Sequence, residues 1–160
     1  MIQLPKPAIV GSTMNYTIEH GARRRTHDRP LAEGERSLGY FILPPFQRPP
    51  AWTREQKVRF IESIWLELPL GSYVFNYDHG PDGKCDHWLI DGQQRWSAII
   101  DYVQSEFEVY GGYFCELIES QRRRFFNHPF PCIQTKMSSE SGLRDIYDRL
   151  AYGGTPHEAP

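Results

Sequence analysis

The chain has 160 residues, 39% of them apolar and 24% charged, and its formal net charge is −2. That length supports one globular domain with a real core, and the near-neutral balance excludes a uniformly cationic nucleic-acid coat while leaving room for a local basic face. No apolar run approaches the ~20 residues of a membrane span and no charged-then-apolar leader opens the sequence. The three cysteines, Cys85, Cys115 and Cys132, form no CxxC pair, which predicts reduced thiols, no zinc, a cytoplasmic location and no membrane partner.

In chain order, residues 1–37 mix prolines, glycines and the cluster Arg23-Arg24-Arg25, and predict a loosely structured extension. The cluster reads either as a solvated arm or as a nucleic-acid contact. Tyr40-Phe41-Ile42-Leu43 predicts a strand closed by Pro44-Pro45, followed by the proline-stiffened loop from Phe46 to Trp52. Thr53 and Gln56 have the spacing of a capping box. The helix after them shows Val58, Ile61, Ile64, Trp65 and Leu68 on one face, with Pro69 as its stop. Ser72–Tyr77 predicts a strand, residues 78–83 a hairpin loop, and His87–Ile90 the returning strand. Gly111-Gly112 marks a break, Ile118–Asn127 a short polar helix, and Pro131–Thr135 a last strand. Ser138 or Ser139 caps a final helix with Leu143, Ile146, Tyr147 and Leu150 in period, stopped by Gly153-Gly154. The order predicts an α+β fold, a small mixed sheet flanked by helices.

The most informative segment is Asp91-Gly92-Gln93-Gln94-Arg95. It joins the apolar run Trp88-Leu89-Ile90 to a helix with Trp96, Ile99, Ile100 and Val103 on one face. A strand that turns through glycine into a helix leaves backbone N–H groups and the helix dipole available to an anion. Gly92 permits close backbone approach, and Arg95 adds a forked cation suited to phosphate. Arg95 reads alternatively as half of a surface ion pair. Asp91 reads as an N-cap, as a magnesium or water ligand beside phosphates, or as both. Gln93 and Gln94 are polar helix-start residues, one of which can orient an attacking water.

Three segments together carry a family resemblance: Phe46-Gln47-Arg48-Pro49 with Trp52 just after, then Asp91–Arg95, then Asp148–Pro156. In this order they resemble the N-terminal domain of GmrSD-type modification-dependent restriction endonucleases, over roughly residues 38–157. That family in turn resembles the ParB/sulfiredoxin fold, in which a Gly-x-x-Arg turn at a helix start holds nucleotide phosphates; Gly92-Gln93-Gln94-Arg95 matches that turn. The resemblance implies a nucleoside triphosphate site, with Gln47 and Arg48 as an upstream box facing the nucleotide and Mg²⁺-dependent hydrolysis as a family property. It makes Asp91 the candidate metal ligand and Asp91, Gln93, Gln94 and Arg95 the candidate catalytic group. Gln47, Arg48, Gly92, Arg95 and Arg149 are the candidate nucleotide contacts.

The chain departs from its relatives in two ways. They continue into a separate nuclease domain, so this sequence is read as a stand-alone module without restriction chemistry of its own. They also usually carry Asn where this chain has Ala151, and Ala cannot hydrogen-bond a ligand; turnover is either weakened or indifferent to that change. Trp52 reads as a core anchor or a base-stacking ring, Arg149 as a cleft residue or a helix-end cation, and Arg122-Arg123-Arg124 as a solvated helix face or a DNA contact. His79, His87 and His128 are too scattered to suggest a metal triad. Three classes follow: a nucleotide-binding domain with NTP hydrolysis, a DNA-binding protein or ParB-like nuclease using Arg23–Arg25 and Arg122–Arg124, and a binding-only regulator or decoy that engages a host or effector protein in phage–host conflict.

Overall fold

The run Tyr73-Val74-Phe75-Asn76 is buried along its whole length, so the sheet that contains it has to be covered on both faces. The computed structural model describes residues 2–7, 11–22, 29–78 and 82–152 and shows how. The elements run β1 (Gly11–Met14), α1 (Ile18–Ala22), β2 (Arg36–Leu38), β3 (Phe41–Leu43), α2 (Arg54–Trp65), β4 (Tyr73–Asn76), β5 (Leu89–Asp91), α3 (Gln93–Val103), a 3₁₀ turn (Phe114–Glu116), α4 (Glu119–Phe126), β6 (Cys132–Thr135) and α5 (Glu140–Tyr152). Four strands form one sheet in the order β1-β6-β4-β5, and β2-β3 is a separate hairpin. β6 is parallel to β4 and antiparallel to β1, while β5 is antiparallel to β4. The molecule is therefore α+β with a mixed sheet, as expected.

Strand alternation sends side chains to opposite faces. Tyr73, Phe75, Leu89 and Cys132 join Phe41, Ile61, Ile64, Trp96 and Ile99 in one core. Val74 and Ile90 join Trp88, Leu143, Ile146 and Tyr147 in the other, beneath α5. Asn76 fastens the two halves: its Nδ2 donates to the carbonyls of Cys85 (2.9 Å) and Met137 (2.8 Å), and its Oδ1 accepts from Thr135 Oγ1 and Met137 N (both 2.8 Å). A parallel bridge between Ile42 and Trp88 attaches the hairpin to β5.

Residues 11–22, expected to be loosely structured, instead supply the edge strand β1 and the short helix α1. Ile18 is fully buried. A Cβ on Gly21 would lie 2.4 Å from the Trp96 ring and 2.6 Å from Phe41, so the backbone of α1 rests directly on the core. The pairing is long-range, and no local pattern in Gly-Ser-Thr-Met announces it. The cluster Arg23–Arg25 lies outside the described residues, as do His79 and the Gly153-Gly154 stop.

The capping box of α2 forms as expected: Gln56 N donates to Thr53 Oγ1 (3.3 Å) and Thr53 N to Gln56 Oε1 (2.8 Å). The helix ends at Trp65, four residues before Pro69. Glu67 turns left-handed (φ 58°), and the Leu68 amide reaches back to the Ser63 carbonyl at 3.0 Å, a helix-closing bond. Leu68 consequently leaves the core face and is exposed. At the other end of the chain, Ser139 caps α5 through Gly142 N (3.1 Å).

Candidate functional site at the glycine-led start of helix α3

β5 ends at Asp91, Gly92 turns with φ 105°, and α3 begins at Gln93. Gly92 is the N-cap and Asp91 is not: the expected carboxylate cap is replaced by a glycine whose conformation L side chains avoid. A Cβ at residue 92 would lie 2.7 Å from Tyr73 Cβ. The turn therefore needs glycine both for its dihedral and for its contact with β4. Asp91 belongs to the strand, and its Oδ2 accepts from Arg95 Nη2 at 3.1 Å.

This start opens into a cavity of about 570 Å³ that also reaches Gln47, Arg48, Trp52, Tyr147 and Ala151. Arg48 and Arg95 line it against one acidic residue, Asp91, so the charge balance of its lining favours anions. The first-turn amides of α3 add partial positive charge in the same place.

The five motif residues divide into different tasks. Gln94 Oε1 accepts from Ala51 N (3.0 Å) and Trp52 N (3.1 Å) and so holds the proline-rich loop against the helix start. Gln47, buried, donates from Nε2 to the carbonyls of Leu89 (2.8 Å) and Ile90 (3.2 Å), tying the same loop to β5. Arg95 donates from Nη1 to Leu70 O (2.8 Å) and from Nη2 to Ser72 O (2.9 Å) as well as to Asp91; its guanidinium lies 5.4 Å from the Phe130 ring centre. Burial lowers the Arg95 pKa from its ordinary value, with Asp91 acting in the opposite direction. Gln93 differs from all of these. It is 6% exposed, and its amide Nε2 has no hydrogen-bond partner.

Arg48 is exposed and lies 3.4 Å from the Tyr147 hydroxyl through Nε. Trp52 is half-buried and meets the Phe60 ring edge-on at 5.5 Å, which seats it at the foot of the loop. Arg149 is exposed and is absent from the cavity lining; α5 presents Tyr147 and Ala151 there instead. Tyr147 was legible only as a member of the apolar face of α5, since nothing in its spacing separates a core ring from a cavity wall. Arg122, Arg123 and Arg124 bond to Cys115 O, Glu119 and the Glu67–Trp65 pair respectively. Among the described residues no group of three or more His, Cys, Asp and Glu could hold a metal ion, and no helix is long and apolar enough to cross a membrane.

Fold and site together define an α+β domain in which a strand–glycine–helix turn, braced from three sides, opens into a cleft biased toward anions. The family model for the N-terminal domain of GmrSD restriction endonucleases matches residues 31–152, and the chain belongs to that family. No curated protein and no solved structure gives a match.

Proposed function

We propose that this domain binds a nucleoside triphosphate at the start of α3 and hydrolyses it with Mg²⁺, as a module of a restriction system. The observation that carries this reading is the Gln93 amide. An orphaned buried donor costs about 1–3 kcal/mol, and the residue that carries it lines a cavity that also takes in a helix N-terminus, Arg48 and Arg95. Turned toward the cavity, the amide would be satisfied by a phosphate or sugar oxygen. In this reading the amides of α3 and Arg48 hold the phosphates, Gln94 and Gln47 keep the Arg48–Trp52 loop in place, and Trp52 and Tyr147 shape the walls around the remainder of the ligand.

Asp91 fits a magnesium ion of the kind that keeps several waters and is held by one carboxylate plus substrate phosphates. Its side chain is 44% exposed beside the cavity. When bound, the ion would neutralise charge on the transferred phosphoryl group.

The test is isothermal titration of the chain with ATP, GTP and CTP in the presence of Mg²⁺, repeated on Gln93→Leu and Arg48→Ala. Saturable binding in the wild type, weakened at least about tenfold in each folded variant, is expected from the loss of one buried or charge-assisted hydrogen bond. A folded wild-type protein that gives no binding heat with any of the three nucleotides would overturn the reading.

A further inference from the structure

Arg95 lines the cavity, yet its donors hold the loop that leads into β4. That loop contains two left-handed residues, Glu67 (φ 58°) and Gly71 (φ 72°), and a Cβ on Gly71 would lie 3.3 Å from Arg95 Nη1. Arg95 grips the carbonyls of Leu70 and Ser72 in this segment at 2.8 and 2.9 Å. Leu70 and Gly71 also wall a second, mainly apolar cavity of about 740 Å³ together with Trp65, Phe125 and Pro131. One loop therefore separates the apolar cavity from the guanidinium that lines the first.

The partners of this half-buried guanidinium are two neutral carbonyls and a carboxylate that is 44% exposed. Phosphate oxygens match the guanidinium fork and make charge-assisted bonds roughly twice as strong as neutral ones. The Phe130 ring, 5.4 Å away, offers a face along which the group can swing without losing its cation–π contact. Left-handed residues in a connecting loop are positions able to absorb a backbone change.

We propose that Arg95 is a two-position latch that leaves the Leu70 and Ser72 carbonyls for the phosphates of a bound nucleotide, releasing the Leu68–Ser72 loop and reshaping the apolar cavity. The inference rests on the nucleotide reading above and adds a regulatory consequence. Any compound seated in the apolar cavity that needs the loop held weakens nucleotide binding by the same factor by which the nucleotide weakens its own.

Hydrogen–deuterium exchange on the wild-type chain tests the latch. It is measured alone, with ATP and Mg²⁺, and with tripolyphosphate, which offers phosphates without a base, each alongside calorimetric titration. Exchange of the Leu68 and Tyr73 amides, which donate to the Ser63 and Pro131 carbonyls at either end of the loop, is expected to rise about tenfold on binding, where a ligand that merely rigidifies its site would slow it. Binding heat with loop exchange unchanged or slowed overturns the latch and leaves the nucleotide site standing. Absence of binding heat overturns both. Arg95→Lys keeps the cation and loses the fork. Its loop is expected to exchange faster without ligand, with no further rise on adding one. A folded Arg95→Lys protein with wild-type loop exchange overturns the latch independently.

Discussion

Replacing Gly92 with alanine adds one methyl group at the point where strand, helix and cavity meet. At φ 105°, L side chains are strained by about 1–3 kcal/mol. The added Cβ would lie 2.7 Å from Tyr73 Cβ, and Tyr73 is fully buried, packed between Phe41, Trp96 and Phe130 at 5.4, 5.2 and 4.8 Å. It cannot retreat without moving those rings, and overpacking of that kind costs about 1–3 kcal/mol more. The sum, about 2–6 kcal/mol, is a large part of the ~5–15 kcal/mol that holds an ordinary domain together. At about 2–4 °C per kcal/mol for a chain of this size, Tm should fall by roughly 10 °C. Gly83→Ala is the matched control: it too has positive φ, at 50°, but its added methyl meets nothing within 4 Å. It should lose only about 1 kcal/mol. Urea denaturation and thermal melts, both followed by tryptophan fluorescence, measure the free-energy and Tm changes of the two variants. Equal losses in the two variants would refute the steric argument, and a Gly92→Ala protein within about 2 °C of wild type would refute the whole account of the turn.

Three further outcomes follow from the geometry. Glu35, whose side chain is 1% exposed, accepts from Arg29 Nη1 and Nη2, Ala32 N and Trp88 Nε1 at 2.6–2.8 Å. Burial pushes its carboxyl up, but the bonds from Arg29, Ala32 and Trp88 outweigh that and hold it below the ordinary 4.5. Its contribution is therefore complete above the unfolded-state pKa and is lost as pH falls through the folded value. Glu35→Gln should cost about 2–4 kcal/mol at pH 7, and the gap to wild type should narrow in denaturation series taken below about pH 4.5; a gap constant down to pH 2 would contradict the buried-carboxylate argument. Gln94→Ala removes the acceptor that fixes Ala51 N and Trp52 N, and should weaken nucleotide binding by about tenfold in calorimetry while costing under ~1.5 kcal/mol of stability. Ala151 lines the cavity, so Ala151→Asn, which places a hydrogen-bonding amide there, should raise phosphate release by about tenfold or more; an unchanged rate would show that an amide at this position does not reach the reacting groups.

The parts of the fold that were legible are those whose cause is local. Thr53 and Gln56 satisfy each other across one helical turn, and Trp96, Ile99 and Ile100 declare their common face by spacing alone. What was hidden depends on distant partners. The Gly11–Met14 strand takes its position from β6, more than a hundred residues later. Pro69 looked like the end of α2, but the left-handed turn at Glu67 closed it first. Within the site, Gln93 and Gln94 are chemically identical neighbours. A helix separates them by about 100°, sending one to the loop backbone and the other into a buried position without a partner. Arg95 carried a strong phosphate signal because the pattern displays its charge and conceals that two backbone carbonyls 23 and 25 residues upstream occupy its donors.

The position of β6 has a consequence for how the polypeptide is assembled in time. It is the last strand among the described residues and lies between β1 and β4. Until residues 132–135 arrive, β1 has no neighbour and the exposed flank of β4 is an unfilled slot between segments made long before. Synthesis from the N-terminus therefore leaves an open sheet waiting for its keystone, with an apolar edge exposed to any strand nearby. The same arrangement makes the chain divisible: a fragment ending near Pro129 should recover its sheet when a separate peptide spanning β6 and α5 is added. The closure of α5 over the α3 cavity would then depend on the complementing piece.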